Sequence, residues 1–231
     1  MYMSLKEELK AEAAIEKKKL KEMSLNDKIW YIWEYYKFHI AGVLLVLLLL
    51  GVIGTSIYNS TLETVLYSVI INNRSVNEIS YEPFEVDFRE YMGFTDKQKI
   101  YNESLFISYD DTTASEYSYA SMMKITALIA ANDLDIIISD QEAFDHHAQM
   151  DAYMDLETAL PADMWEALKD RAIYTTTESG ETIAGAIDIS KTAFAEKCGI
   201  VLEPAYCGII VNTERTDTCI ALLRYIFDLD A

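Results

Sequence analysis

Residues 130–140 read AANDLDIIISD, and the fold follows from this run. The apolar block from Leu134 to Ser139 does not alternate with polar residues, so a strand there wants both of its faces covered and belongs in the middle of a sheet, beside parallel neighbours. On its amino side a helical pattern fills 114–131 and stops at Asn132 and Asp133. On its carboxyl side Asp140 opens a second helix over 141–149. Working outward, short runs rich in Val, Ile and Tyr alternate with longer helical patterns, as in a sheet flanked by helices. Strands are expected over 64–72, 104–109, 134–139, 171–177, 182–189 and 206–212. Helices are expected over 83–92, 114–131, 141–149, 162–170, 191–197 and 216–228. Pro83 and Pro161 fit first helical turns, Gly93 and Gly199 follow helix ends, and Ser179 with Gly180 turns a hairpin. The expected class is therefore α/β, with a mixed, mostly parallel sheet. No internal repeat breaks the pattern, and the one loose connection lies over 73–82.

Ahead of this domain stands a different kind of sequence. Residues 40–62 carry no charge, and AGVLLVLLLLGVIG within them has ten residues from the set Val, Leu and Ile. A helix of roughly 20 such residues crosses a ~30 Å hydrocarbon layer, so a single transmembrane helix is expected. Eight lysines lie in residues 1–39, whereas Arg74 is the only basic residue among the first twenty after the span. That asymmetry places the N-terminus in the cytoplasm and the acidic domain outside. Trp30, Tyr31, Trp33, Tyr35, Tyr36 and Phe38 form an aromatic run suited to the membrane interface. A 39-residue leader and so long an apolar run read as an uncleaved signal-anchor rather than a cleaved signal peptide. Within the leader, Ser4 with Glu7 and Ser24 with Asp27 have the spacing of helix caps. The organisation expected is a charged cytoplasmic leader (1–39), a transmembrane helix (40–62) and an extracytoplasmic α/β domain (63–231), in contact with the lipid bilayer.

Residues 63–231 hold 11 lysines and arginines against 31 acids, a net charge of −20. Such a field disfavours nucleic acid and anionic surfaces. No Gly-x-Ser-x-Gly turn, phosphate loop or dinucleotide fingerprint is present, so an enzyme is not expected and no cofactor is implied. Cys198, Cys207 and Cys219 are an odd set in apolar surroundings and read as buried thiols.

Two stretches of the domain carry chemistry. Asp140, Glu142, Asp145, His146, His147 and Asp151 cluster on one helix, where Glu142 with His146 and His147 with Asp151 are four apart. That spacing suits either a metal-binding pair or a solvated polar face; the two histidines point about 100° apart, which favours the solvated face, and no metal is expected. The second stretch is Tyr109, Asp110, Asp111, Thr112, Thr113 and Ser115, joining a strand end to a helix start. It reads as a ligand-binding loop or as an ordinary helix cap; ligands gather at the carboxyl ends of strands in open α/β sheets, and tyrosines stack on flat ligands.

The segments AANDLDIIISD, QEAFDHHAQMDAY, MDLETAL and YCGIIVNTERTDTCIALLRYIFD resemble the substrate-binding proteins of bacterial importers, with their two-lobed, periplasmic-binding-like fold. The resemblance spans roughly residues 104–228. With about 168 residues after the span, it implies a reduced, single-lobe version on a membrane anchor. Two functional readings follow: a tethered, non-enzymatic binding module for a small polar ligand, working beside a transporter, or a structural protein of the envelope whose α/β domain contacts other proteins. The first predicts converging polar groups at a strand end, the second an exposed apolar or aromatic patch.

Overall fold

The computed structural model describes Ile15, Lys17, Lys18 and residues 23–75, 78–110 and 115–229. The Ser4 and Glu7 cap, and Asp111, Thr112 and Thr113 of the expected ligand loop, lie outside the described residues. The chain divides into two compact units, 1–61 and 62–231.

The first unit contains helix α1, Leu25–Asn59, 35 residues long, or about 52 Å at 1.5 Å per residue. Ser24 caps it as the spacing predicts: its Oγ accepts from the Asp27 amide and donates to the Asp27 carboxylate. The aromatic run and the apolar run thus share one continuous helix. Its segment Tyr36–Asn59 is long and apolar enough to cross a membrane and is not buried in protein. Thr55 returns its hydroxyl to the carbonyls of Gly51 and Val52, which leaves no unpaired polar side chain at that point.

The second unit is an α/β domain with six strands: β1 Glu63–Ile71, β2 Gln98–Leu105, β3 Ile136–Ser139, β4 Ala172–Thr176, β5 Thr182–Asp188 and β6 Tyr206–Ile209, in the sheet order β2-β1-β3-β6-β5-β4. Strand β3 is central and all four of its residues are buried. It runs parallel to β1, as β1 does to β2. The other three pairings are antiparallel, so the sheet is mixed and the expectation of a mostly parallel one is corrected. The cause is the route of the chain. Tight turn Ser179 and Gly180 (φ 87°) makes β4 and β5 a hairpin, and β6, reached through residues 189–205, lies antiparallel between β5 and β3. Strand β2 is shifted from the expected 104–109 to residues 98–105.

Alternate residues of the strands feed two cores. One contains Leu66, Ile70, Ile136, Ile138, Cys207 and Ile209. It is covered by a π-turn at Pro83–Asp87 with α2 (Phe88–Met92), and by α6 (Ala162–Leu168), α7 (Ala193–Cys198) and α8 (Thr216–Ile226). The opposite core contains Val69, Ile71, Ile137 and Ile210 under α3 (Glu116–Ala130) and α4 (Gln141–Ala148). A four-residue helix, α5 (Leu156–Ala159), follows α4.

Two features hold the sheet in register. Asp135, fully buried, accepts from the Tyr67 amide of β1 at 2.7 Å, from the Thr213 hydroxyl and from Arg215 Nε at 2.8 and 3.0 Å. Arg215 Nη2 also donates to the Asp133 carbonyl at 2.7 Å. One carboxylate thereby ties β1, β3 and the start of α8. At the other feature, the ring of Tyr153 lies flat on Gly208 of β6: a Cβ there would sit 2.5 Å from two ring carbons and 3.0 Å from the Gly185 carbonyl oxygen. Gly208→Ala is therefore expected to cost about 1–3 kcal/mol through overpacking, lowering Tm by roughly 2–12 °C for a chain of this size. Thermal melting checks this, and an unchanged Tm would mean that the buried Tyr153 ring yields.

Candidate functional site at the carboxyl ends of the parallel strands

The β1-to-β2 connection covers one face of the sheet and the β2-to-β3 connection covers the other, as the two cores show. With strand order β2-β1-β3, the path of the chain reverses between β1 and β3, and the crevice outside their carboxyl ends is where such sheets bind ligands. Asn72 and Asp140 sit at those two ends.

Asn72 leaves β1 with φ 63°, a left-handed conformation that asparagine adopts more readily than most residues. Its side chain is buried and bonded at both ends: Oδ1 accepts from the Ile107 amide at 2.8 Å, and Nδ2 donates to Asp140 Oδ2 at 3.2 Å. Asp140 caps α4 through its other oxygen, which accepts from the Ala143 amide at 2.9 Å. A negative charge is stabilised there by the free amides of the helix start. Ser115 caps α3, and Ser118 Oγ accepts from the Ser108 amide at 2.7 Å, fixing the chain that leaves β2.

That chain carries Tyr109 across to α4. Its ring lies against His146, tilted by 33° with centroids 4.2 Å apart, and its hydroxyl lies 3.4 Å from His147 Nε2. The two stretches separated in the sequence therefore meet: Tyr109 from the loop and the histidines from the helix form one cluster, with Asp140 beside it. Ser115 serves as the helix cap. Asp110 is exposed.

The electrostatics of the cluster are governed by burial. Desolvation raises the Tyr109 phenol well above its usual range, and the charges of Asp140 and Glu142 raise it further. Burial lowers His146, and it pushes His147 down to about 4 with help from His146. At neutral pH both imidazoles are uncharged, and the formal charge at this end comes from carboxylates.

The metal pairing does not form. His147 is turned inward to Tyr109, while Asp151 is spent on the Glu178 amide at 2.9 Å and Asp145 accepts from Gln141 Nε2 at 2.8 Å. Among the described residues no group of three or more His, Cys, Asp or Glu side chains is placed to hold a metal ion.

A cavity of about 490 Å³ is lined by Asn73, Ser75, Glu78, Ile79, Tyr81 and Ser104; Ile79 and Tyr81 pack against the first core, whereas Tyr109 packs against the second. Its size falls within the range of small-molecule pockets. Asn73 forms part of its wall, held by a bond from its Nδ2 to the Gly199 carbonyl and one from the Val201 amide to its Oδ1. In the sequence Asn73 reads only as the start of the loose connection over 73–82, because a polar loop residue gives no sign of which distant backbone it will bind.

Cys198, Cys207 and Cys219 are free and buried, and burial raises all three thiols, the first two to about 12. They belong to one core, away from Tyr109 and His147. Trp30, Trp33 and Phe38 are exposed on α1; Tyr31, Tyr35 and Tyr36 lie on the same helix.

Comparison with protein-family models, with curated proteins and with solved structures finds no match.

Proposed function

We propose that the chain is a membrane-anchored, non-enzymatic binding module, with α1 in the bilayer, the N-terminus in the cytoplasm and the acidic α/β domain outside. In this reading the domain is a reduced, single-lobe relative of the solute-binding proteins and takes a small polar ligand. The observation that carries the proposal is the convergence of Asn72, Tyr109, Asp140, His146 and His147 on the β1 and β3 carboxyl ends. Aromatic rings with a few fixed polar groups are the usual furniture of such a site. The net charge of −20 suits neutral or cationic ligands over anionic ones. A thermal-shift screen of the full chain in detergent, against sugars, amino acids, short peptides and divalent cations, tests it.

One observation favours the assembly reading instead. Helix α3 buries only Ser118, Ser121 and Ile125, while Tyr119, Ala120, Met123, Ala127 and Ala130 are exposed. At about 100° per residue these five fall within one band of roughly 100°. A band of that kind, with Glu116 as its one charge at the helix start, suits a protein partner. A photo-crosslinker at Met123 giving a defined adduct with another envelope protein, and none from Glu142, would favour this reading.

A further inference from the structure

We propose that His147 and Tyr109 form a proton-operated latch over the β1/β3 crevice, closed at neutral pH and released as the pH falls below about 6.5. The proposal concerns the regulation of the site described above and rests on that reading of the crevice. Its test, however, needs no ligand.

The geometry comes first. His147 is 2% exposed. Its Nε2 meets the Tyr109 hydroxyl at 3.4 Å, and its Nδ1 has no hydrogen-bond partner among the described residues. In the neutral ring one nitrogen is served by Tyr109 and the other needs no strong partner as a lone-pair acceptor. A second proton makes both nitrogens N–H donors. A charged ring is then buried with one donor unmet, which is costly in a low-dielectric interior. No carboxylate offsets this, since none among the described residues pairs with His147. The titratable groups that face it are Tyr109, from the chain leaving β2, and His146, from α4 itself. The first is neutral, and the second repels a proton on its neighbour. Asp140 and Glu142 act on the Tyr109 hydroxyl, and Asp145 acts on Tyr153, which follows α4.

The cheapest relief is to hydrate the imidazole by letting Tyr109 go. Tyr109 is suited to that role, being held at its ring by His146 and at its hydroxyl by His147. The backbone just before it stays fastened through Ile107 to Asn72 and Ser108 to Ser118. Release therefore uncovers the carboxyl-end crevice without dismantling the sheet.

The sign and size follow from linkage. A hydrated His147 titrates near 6.5, and in the closed state it is held near 4. Above pH 6.5 neither state is protonated and the ratio is constant. Between pH 6.5 and 4 only the open state gains the proton, so the open-to-closed ratio rises up to tenfold per pH unit, or about 300-fold in total.

Hydrogen exchange of the full chain in detergent, expressed as protection factors that remove the intrinsic pH dependence, reads this directly. Protection of the Tyr109 amide is expected to fall close to tenfold per unit below pH 6.5, while that of Ser108, which stays bonded to Ser118, and of Ile136, Ile137 and Ile138 in β3 stays level. In His147→Gln and His147→Phe the profile at Tyr109 becomes flat; two variants are used because one substitution can fail to fold. A flat wild-type profile, or the same slope in a folded variant, overturns the latch. If the flat profile comes with a ligand that raises Tm at pH 7, the site stands and only its regulation falls. A sloping profile with no ligand found supports the latch and removes the binding reading.

Discussion

Asp135→Ala is expected to leave too little stability for the domain to accumulate in folded form, or to lower its Tm by roughly 6–20 °C, reckoned at 2–4 °C per kcal/mol for a chain of this size. The carboxylate is fully buried and serves three donor groups in four hydrogen bonds: the Tyr67 amide, the Thr213 hydroxyl and Arg215 Nε, which reaches both of its oxygens. Truncation removes the acceptor and leaves all of them. Arg215, only 20% exposed at its side chain, becomes a nearly buried charge without its counter-ion. Breaking one partner of a buried pair costs about 3–5 kcal/mol, against about 5–15 kcal/mol for the whole stability of an ordinary domain. Arg215→Ala is expected to cost less, because Asp135 keeps the Tyr67 amide and the Thr213 hydroxyl as donors. Thermal melts of the two variants check the order, and equal, small losses would show that the network is not what registers β1 on β3.

The second large effect concerns α1. Replacing Leu47 and Leu50 by lysine is expected to remove the chain from membranes. A lysine at the centre of a spanning helix costs about 2.5–3.5 kcal/mol on insertion, and a leucine contributes about 0.3–0.6 kcal/mol in favour. The double change therefore amounts to roughly 6–8 kcal/mol. The ten Val, Leu and Ile residues over 41–54 supply only about 3–6 kcal/mol on the same scale, so the balance reverses. Recovery of the variant in the soluble fraction after alkaline extraction, with the wild type in the pellet, is the predicted outcome. Both proteins in the pellet would mean that something other than the 36–59 segment holds the chain.

The parts of the fold that could be read from the sequence are those where burial dictates composition. Strand β3 is enclosed on both faces, so Ile136, Ile137 and Ile138 make a continuous apolar run, and its central place follows. Strand β2 is an edge strand in which Lys99, Asn102 and Glu103 are half-buried and Tyr101 is exposed. Its polar residues do not read as a strand, whereas the apolar run from Leu105 to Ile107 does. Leu105 ends β2, and Ile107 is buried for another reason, packing beneath α3 in the second core. Strand direction was not legible at all for β6: Tyr206, Cys207 and Ile209 would be buried in either sense, and the connection over 189–205 is long enough to serve either direction. Helix α5, four residues long, is too short to show a period.

The site was legible by parts. Tyr109 and the pair His146 and His147 each carried chemistry on their own, but residues 38 apart give no sign of contact. Asp140 announced itself as a helix start, though not as the partner of Asn72, which looked like the last residue of a strand. The orphaned Nδ1 of His147 has no signature in sequence, because a histidine on an amphipathic helix is as often solvated as buried.

The most direct measurement is the Tm of the full chain in detergent against the ligand classes named above, for the wild type beside Tyr109→Ala and His146→Ala. At least one class is predicted to raise the wild-type Tm in a saturable manner, and each substitution to abolish the rise while the unliganded domain still melts cooperatively. No saturable shift from any class, or a shift that both variants retain in full, would contradict a binding site at the β1 and β3 ends.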